Sequence, residues 1–120
     1  MRFVWVGLAG AAGAVTRYSI GMLIGVERFP WATLLINVTG SFALGFVLTF
    51  FTERHLSPTV SAAISVGFLG AYTTYSTFAW EGFVLGRTHR VGTAAIYVAV
   101  SIVGGLAAAW GGYHLARSAA

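Results

Sequence analysis

Six consecutive side chains carry hydroxyls in the middle of an apolar stretch: Tyr72, Thr73, Thr74, Tyr75, Ser76 and Thr77. Upstream stands the sole asparagine, Asn37, in a chain with no Asp, Lys, Gln or Cys. These neutral groups donate and accept hydrogen bonds. In hydrocarbon they cost free energy unless they are partnered. Two chemistries suit them. They can cement helices together, each bond contributing roughly 0.6–2 kcal/mol in membranes. Alternatively, they can line a path for something polar, with the Asn37 amide offering N–H donors to an anion. Both readings stand for Asn37 taken alone.

The backbone around the hydroxyl run has chemistry of its own. Gly67, Gly70 and a run of β-branched threonines make a poor continuous helix. An interruption is expected between about Gly70 and Ser76. Irregular backbone at membrane depth is tolerated only inside protein or beside a water-filled cavity. A break exposes carbonyl oxygens at one half-helix end, which suit a small cation. It exposes amide donors at the other, which suit an anion. Phe68, Tyr72, Tyr75 and Ala79 fall near one helical face, and an aromatic stripe of this kind usually packs a core. Two charges, Arg17 and Glu81, fall within spans. Arg17 can snorkel to the interface or hold a positive potential in an aqueous vestibule. His55, His89 and His114 lie in or near loops without metal-ligand spacing, and the lack of Asp removes a Ser-His-Asp set. The chain does not read as an enzyme.

The elements that position these residues follow from hydropathy. The 120 residues are 58% hydrophobic and 8% charged, far from the soluble average of roughly a quarter charged. Four apolar segments, about residues 3–26, 31–52, 59–85 and 92–115, are each long enough to cross a bilayer core. Pro30 and Pro58 fall at expected helix starts. The expectation is an all-α integral membrane protein with four transmembrane helices per subunit, the third one broken, forming one domain over residues 1–120. Arg2 before an apolar run and Ala12-Gly13-Ala14 resemble a signal peptide, but the apolar pattern continues to Val26 and reads as a retained span. Stripes of small residues (Gly13, Gly21 and Gly25 with Arg17; Gly40 and Ser41; Ser101, Gly104, Gly105, Ala108 and Gly112) read mostly as packing surfaces.

Charge gives the orientation argument. All cationic side chains are arginines, scattered singly, so no basic patch for nucleic acid exists. Four spans put Arg2, Arg54 and Arg117 on one side. Arg28, Arg87 and Arg90 lie on the other, with Arg17 ambiguous. So small a bias leaves both orientations open. Opposite insertions of one chain can pair as an antiparallel dimer, an inverted repeat made of two copies.

Three motifs in order resemble one family. Gly13-Ala14-Val15-Thr16-Arg17-Tyr18, Asn37-x-x-Gly40-Ser41-Phe42-x-x-Gly45, and Gly67-Phe68-x-Gly70-x-x-Thr73-Thr74-Tyr75-Ser76-Thr77-Phe78 look like the Fluc (CrcB) fluoride channel family. The resemblance covers essentially the whole chain. It implies an antiparallel, dual-topology homodimer with two fluoride pores in the cell inner (plasma) membrane, passively exporting cytoplasmic fluoride. It implies that Asn37 donates to fluoride and that Tyr75 and Phe78 line the pore with electropositive ring edges. Ser101 resembles a pore-lining hydroxyl, Thr77 continues the polar track, and Arg17 sits in the vestibule. Glu81 matches an acidic position near the pore end. Gly70 and Thr73 carbonyls from both subunits would hold one structural sodium ion (Na+) at the dimer interface. Tyr75 departs from the family's usual Phe; its hydroxyl is expected to contact Ser101, Thr77 or water.

The physical logic agrees. Fluoride holds water strongly, and neutral donors can replace that water without trapping the ion. The alternative is a small dual-topology multidrug exporter. That class needs a carboxylate in its first helix, and no Asp or Glu lies between Met1 and Val26.

Overall fold

Proline, glycine and serine set the ends of the helices. The computed structural model describes all 120 residues. Helix α1 (Arg2–Ile24) stops at Gly25, whose φ of 77° is a conformation few other residues adopt without strain. Helix α2 (Trp31–Glu53) starts directly after Pro30. Helix α3 (Pro58–Ala62) has Pro58 in its first turn, and the Ser57 side chain accepts the Val60 N–H at 3.4 Å.

The third crossing is not one helix. From α3 the chain passes through a π-helical stretch, Ala63–Leu69, into the three-residue α4 (Gly70–Tyr72). Thr73 and Thr74 are extended, with ψ of 156° and 113°. Helix α5 (Tyr75–Arg87) then restarts under an N-cap, the Thr74 Oγ1 accepting the Thr77 N–H at 3.3 Å. The expected break is therefore present, at Thr73–Thr74. The π-helical stretch before it was not expected. Helix α6 (Val91–Ala119) completes four helical rods, with no strand. Helix α6 ends at Ala119.

The rods are packed through small residues. Helices α2 and α6 share the most extensive contact. A Cβ on Gly112 would collide with the Phe42 carbonyl, and one on Gly45 with the Ala109 carbonyl. Helix α1 lies against the third rod in the same way: Gly13 abuts the Phe68 carbonyl, and a Cβ on Gly67 would come 2.7 Å from the Val6 carbonyl. Two members of the expected α1 stripe behave differently. Gly21 and Gly25 have open space where a Cβ would be. Both border a cleft instead.

The apolar side chains face outward. Only 12 of 120 residues are buried, while Phe3, Leu23, Trp110 and many others are exposed. A soluble domain of this size buries most of its apolar surface, so this chain is built for an apolar surround. The molecule measures 50 × 30 × 20 Å, and its long axis exceeds the roughly 40–45 Å of a bilayer with headgroups. Helices α2 and α6 are each continuous and apolar enough to cross unaided. The other two rods run beside them, one diluted by Arg17 and glycines, the other by the break. This is the all-helical integral membrane architecture expected from composition.

Candidate functional site

The break at Thr73–Thr74 is held from across the bundle by one side chain. Asn37 Nδ2 donates to the Thr74 carbonyl at 3.0 Å, and Thr74 N–H donates to Asn37 Oδ1 at 2.8 Å. The amide replaces both partners that a continuous helix would give Thr74. One turn on, Ser41 Oγ donates to the Asn37 backbone carbonyl at 2.6 Å. Buried backbone groups without partners would each cost about 1–3 kcal/mol, so this pairing makes an interruption at membrane depth stable. An amide nitrogen carries two hydrogens. One is committed to Thr74 and the second is left for another acceptor.

Diverting Thr74 N–H to Asn37 leaves a carbonyl behind. In a continuous helix that N–H would serve Gly70. Likewise Thr77 N–H, which would serve the Thr73 carbonyl, goes to the Thr74 hydroxyl. The Gly70 and Thr73 carbonyls are thus released at one short turn, and Gly70 is exposed on the single chain. Hard oxygen donors released by a break are the donor type a small alkali cation takes.

Arg17 reaches the same region from α1. Its Nε donates to the Ala71 carbonyl at 3.1 Å, beside the C-terminal end of α4, where a positive charge is favourable. Arg17 therefore turns inward instead of snorkelling. It borders a cleft of about 320 Å³ shared with Thr74, Thr77 and Glu81. A second cleft, of about 290 Å³, is lined by Asn37, Ser65, Gly70, Thr73, Tyr75 and Phe78. Thr74 borders both, so the break lies between two concavities.

The aromatic residues form a chain of edges. The Tyr75 and Phe78 rings lie 6.0 Å apart, tilted by 57°. Phe78 then meets Tyr97 edge-on at 5.3 Å. Tyr75 is 79% exposed on the single chain, and its hydroxyl makes no hydrogen bond within it. The expected contact with Ser101 or Thr77 is therefore not made inside one subunit.

Ser101 stands apart. It borders neither cleft. Its Oγ is buried without a hydrogen-bond partner. By contrast, Ser65 donates to the carbonyl four residues before it, as Ser41 does. Such an orphaned hydroxyl is uncommon in a packed helix.

Sequence reasoning missed Tyr97 and the particular work of Thr74. Tyr97 is fully buried, and its hydroxyl donates to Glu81 Oε1 at 3.1 Å, anchoring the only acid in the third rod. Nothing in an apolar α6 pattern distinguishes Tyr97. Thr74 did carry a signal, a threonine placed just before a restarting helix.

A helical membrane protein with a polar, side-chain-braced discontinuity between two clefts belongs to the class that moves or binds small ions at membrane depth. The chain belongs to the family described as CrcB-like protein, Camphor Resistance (CrcB), which matches residues 4–113. It is 43% identical to the fluoride-specific ion channel FluC 2 of Geobacillus kaustophilus, covering 98% of this chain and 94% of that protein. It is also 43% identical to the fluoride-specific ion channel FluC of Acidobacterium capsulatum, covering 92% and 91%. The FluC protein of Ignicoccus hospitalis is 39% identical over 95% of this chain and 94% of its own length.

Proposed function

We propose that the protein is a fluoride-selective ion channel that lets cytoplasmic fluoride leave the cell passively, and that it is not an enzyme. The observation that carries this reading is the Asn37 brace: a neutral amide at the break with a second N–H still to give. Fluoride is compact and strongly hydrated. A path for it needs donors that replace water without the grip of a fixed cation. Asn37, the electropositive edges of Tyr75 and Phe78, and the hydroxyls of Thr77 and Ser101 are such donors. Arg17 and Glu81 share the larger-volume cleft beside the break, where Arg17, tied to the Ala71 carbonyl, gathers anions.

The working form is an antiparallel homodimer spanning the inner membrane several times. The cleft holding Gly70, Thr73 and Tyr75 carries the polar groups of Asn37, Ser41 and Ser65 among apolar side chains and is open to one side. Hydrocarbon does not tolerate such a face, and a second copy of the same chain covers it. The near-equal split of arginines between the two sides favours pairing of opposite insertions. Gly70 and Thr73 carbonyls, supplied twice, fit a structural sodium ion between the subunits. When bound it would hold the two breaks together by neutralising their carbonyl dipoles.

Fluoride efflux from liposomes containing only this protein tests the reading, with chloride efflux and proton-driven uptake of a cationic dye as controls. Fluoride release alone is expected. Comparable chloride release, or dye uptake, would overturn it. For the assembly, a cysteine introduced at Thr88 should be labelled from both faces of an oriented cell membrane. Labelling from a single face would contradict dual topology.

A further inference from the structure

Tyr72 is the last residue of α4 and directly precedes Thr73. Its hydroxyl lies 2.9 Å from Thr39 Oγ1 on α2. Proton counting gives the direction of that bond. Thr39 has one hydroxyl hydrogen, and the Leu35 carbonyl sits 2.6 Å from its Oγ1. A carbonyl can only accept, so the Thr39 hydrogen goes to Leu35 and Tyr72 is the donor to Thr39. The Tyr72 ring reaches Thr39 by crossing Gly40. A Cβ there would come 3.2 and 3.4 Å from two ring carbons and would collide with the Thr73 methyl group. On its other side the ring stacks on Phe68, with centroids 5.9 Å apart and planes at 15°.

Helix α2 therefore holds the break at two points flanking Thr73. Asn37 holds Thr74 behind it, and Thr39 holds Tyr72 ahead of it. Thr73 makes no polar tie to α2 of its own. Its hydroxyl donates back to the Leu69 carbonyl at 2.9 Å. The position of the Thr73 carbonyl is thus set by its neighbours. Besides the Tyr72 tie, the three-residue α4 is held by Arg17 Nε on the Ala71 carbonyl, by Phe68 stacking and by backbone, and none of these joins it to α2.

We propose that the Tyr72–Thr39 hydrogen bond is a second brace, positioning the Thr73 carbonyl and so setting the affinity of the cation site. The inference rests on the sodium reading above. Tyr72 and Thr39 are positioning residues and touch no ion.

The test is thermal unfolding of the purified protein in detergent across a sodium titration, with N-methylglucamine as the balancing cation. A cation that binds only the assembled form raises Tm as its concentration rises. Losing one hydrogen bond should shift the sodium concentration at which Tm begins to rise upward about three- to tenfold in Tyr72→Phe and in Thr39→Val. Thr39→Ser, which keeps the acceptor oxygen, should retain the wild-type onset. Sodium onsets for Tyr72→Phe and Thr39→Val equal to wild type would overturn the brace, even if the sodium-free Tm fell. If Tyr72→Phe does not assemble, the contrast between Thr39→Val and Thr39→Ser decides. A wild-type protein whose Tm ignores sodium would overturn the cation site itself, and this inference with it.

Discussion

The α2–α6 pair and the third crossing are both rich in small residues, yet they use them oppositely. Between α2 and α6, Gly45 and Gly112 bring two continuous backbones into contact, and each helix satisfies its own carbonyls. In the third crossing, Gly67 permits a similarly close approach to α1, but the helix then widens, stops and restarts. There the backbone groups are satisfied by side chains from other elements, Asn37 above all. One region is a scaffold whose polar groups are spent internally. The other leaves carbonyls and one amide hydrogen available. Close packing and ion chemistry thus come from the same residue class, and the difference is whether the helix is allowed to continue.

The contrast predicts different failures. Asn37→Asp should lower fluoride flux by on the order of 100-fold, because it sets a carboxylate oxygen against the Thr74 carbonyl and removes the donor. The variant should still elute like wild type in size-exclusion chromatography. Near-normal flux in an assembled Asn37→Asp protein would return Asn37 to simple packing. Gly112→Leu should act on the scaffold instead. Forcing a side chain into the Phe42 carbonyl should cost about 1–3 kcal/mol of stability, read as a lower Tm. Gly92→Ala, where nothing lies within 4 Å of the added carbon, should stay within about 0.5 kcal/mol of wild type. Equal Tm values for the two would show that the α2–α6 contact is looser than described.

A smaller effect separates ring from hydroxyl at position 75. Tyr75→Ile removes the electropositive edge and should reduce flux about tenfold, the upper end of what one aromatic contact contributes. Tyr75→Phe keeps the edge and should remain within about twofold of wild type. Equal flux in all three proteins would remove this ring from the path.

The two regions were not equally legible. The scaffold was readable as periodic small residues in long apolar runs, since packing in membranes depends on local spacing. The break was readable from Gly70 and the threonine run, because helix propensity is local too. What holds the break was not. The Asn37–Thr74 pairing joins residues 37 positions apart, and neither residue's own surroundings specify it. The same holds for Tyr97 and Glu81, and for Tyr72 and Thr39. The π-helical stretch also escaped, because Ala63–Leu69 reads as ordinary helix. Ser101 was grouped with the other site residues by resemblance, and in a single chain it lies outside both clefts.

The most direct measurement is the reversal potential of a planar bilayer containing this protein, with a high fluoride concentration on one side and a low one, balanced by chloride, on the other. If the broken crossing is a path of neutral donors fitted to fluoride, the current should reverse close to the fluoride equilibrium potential. It should also vanish when fluoride is replaced by chloride on both sides. A reversal near zero, with chloride carrying comparable current, would contradict the account.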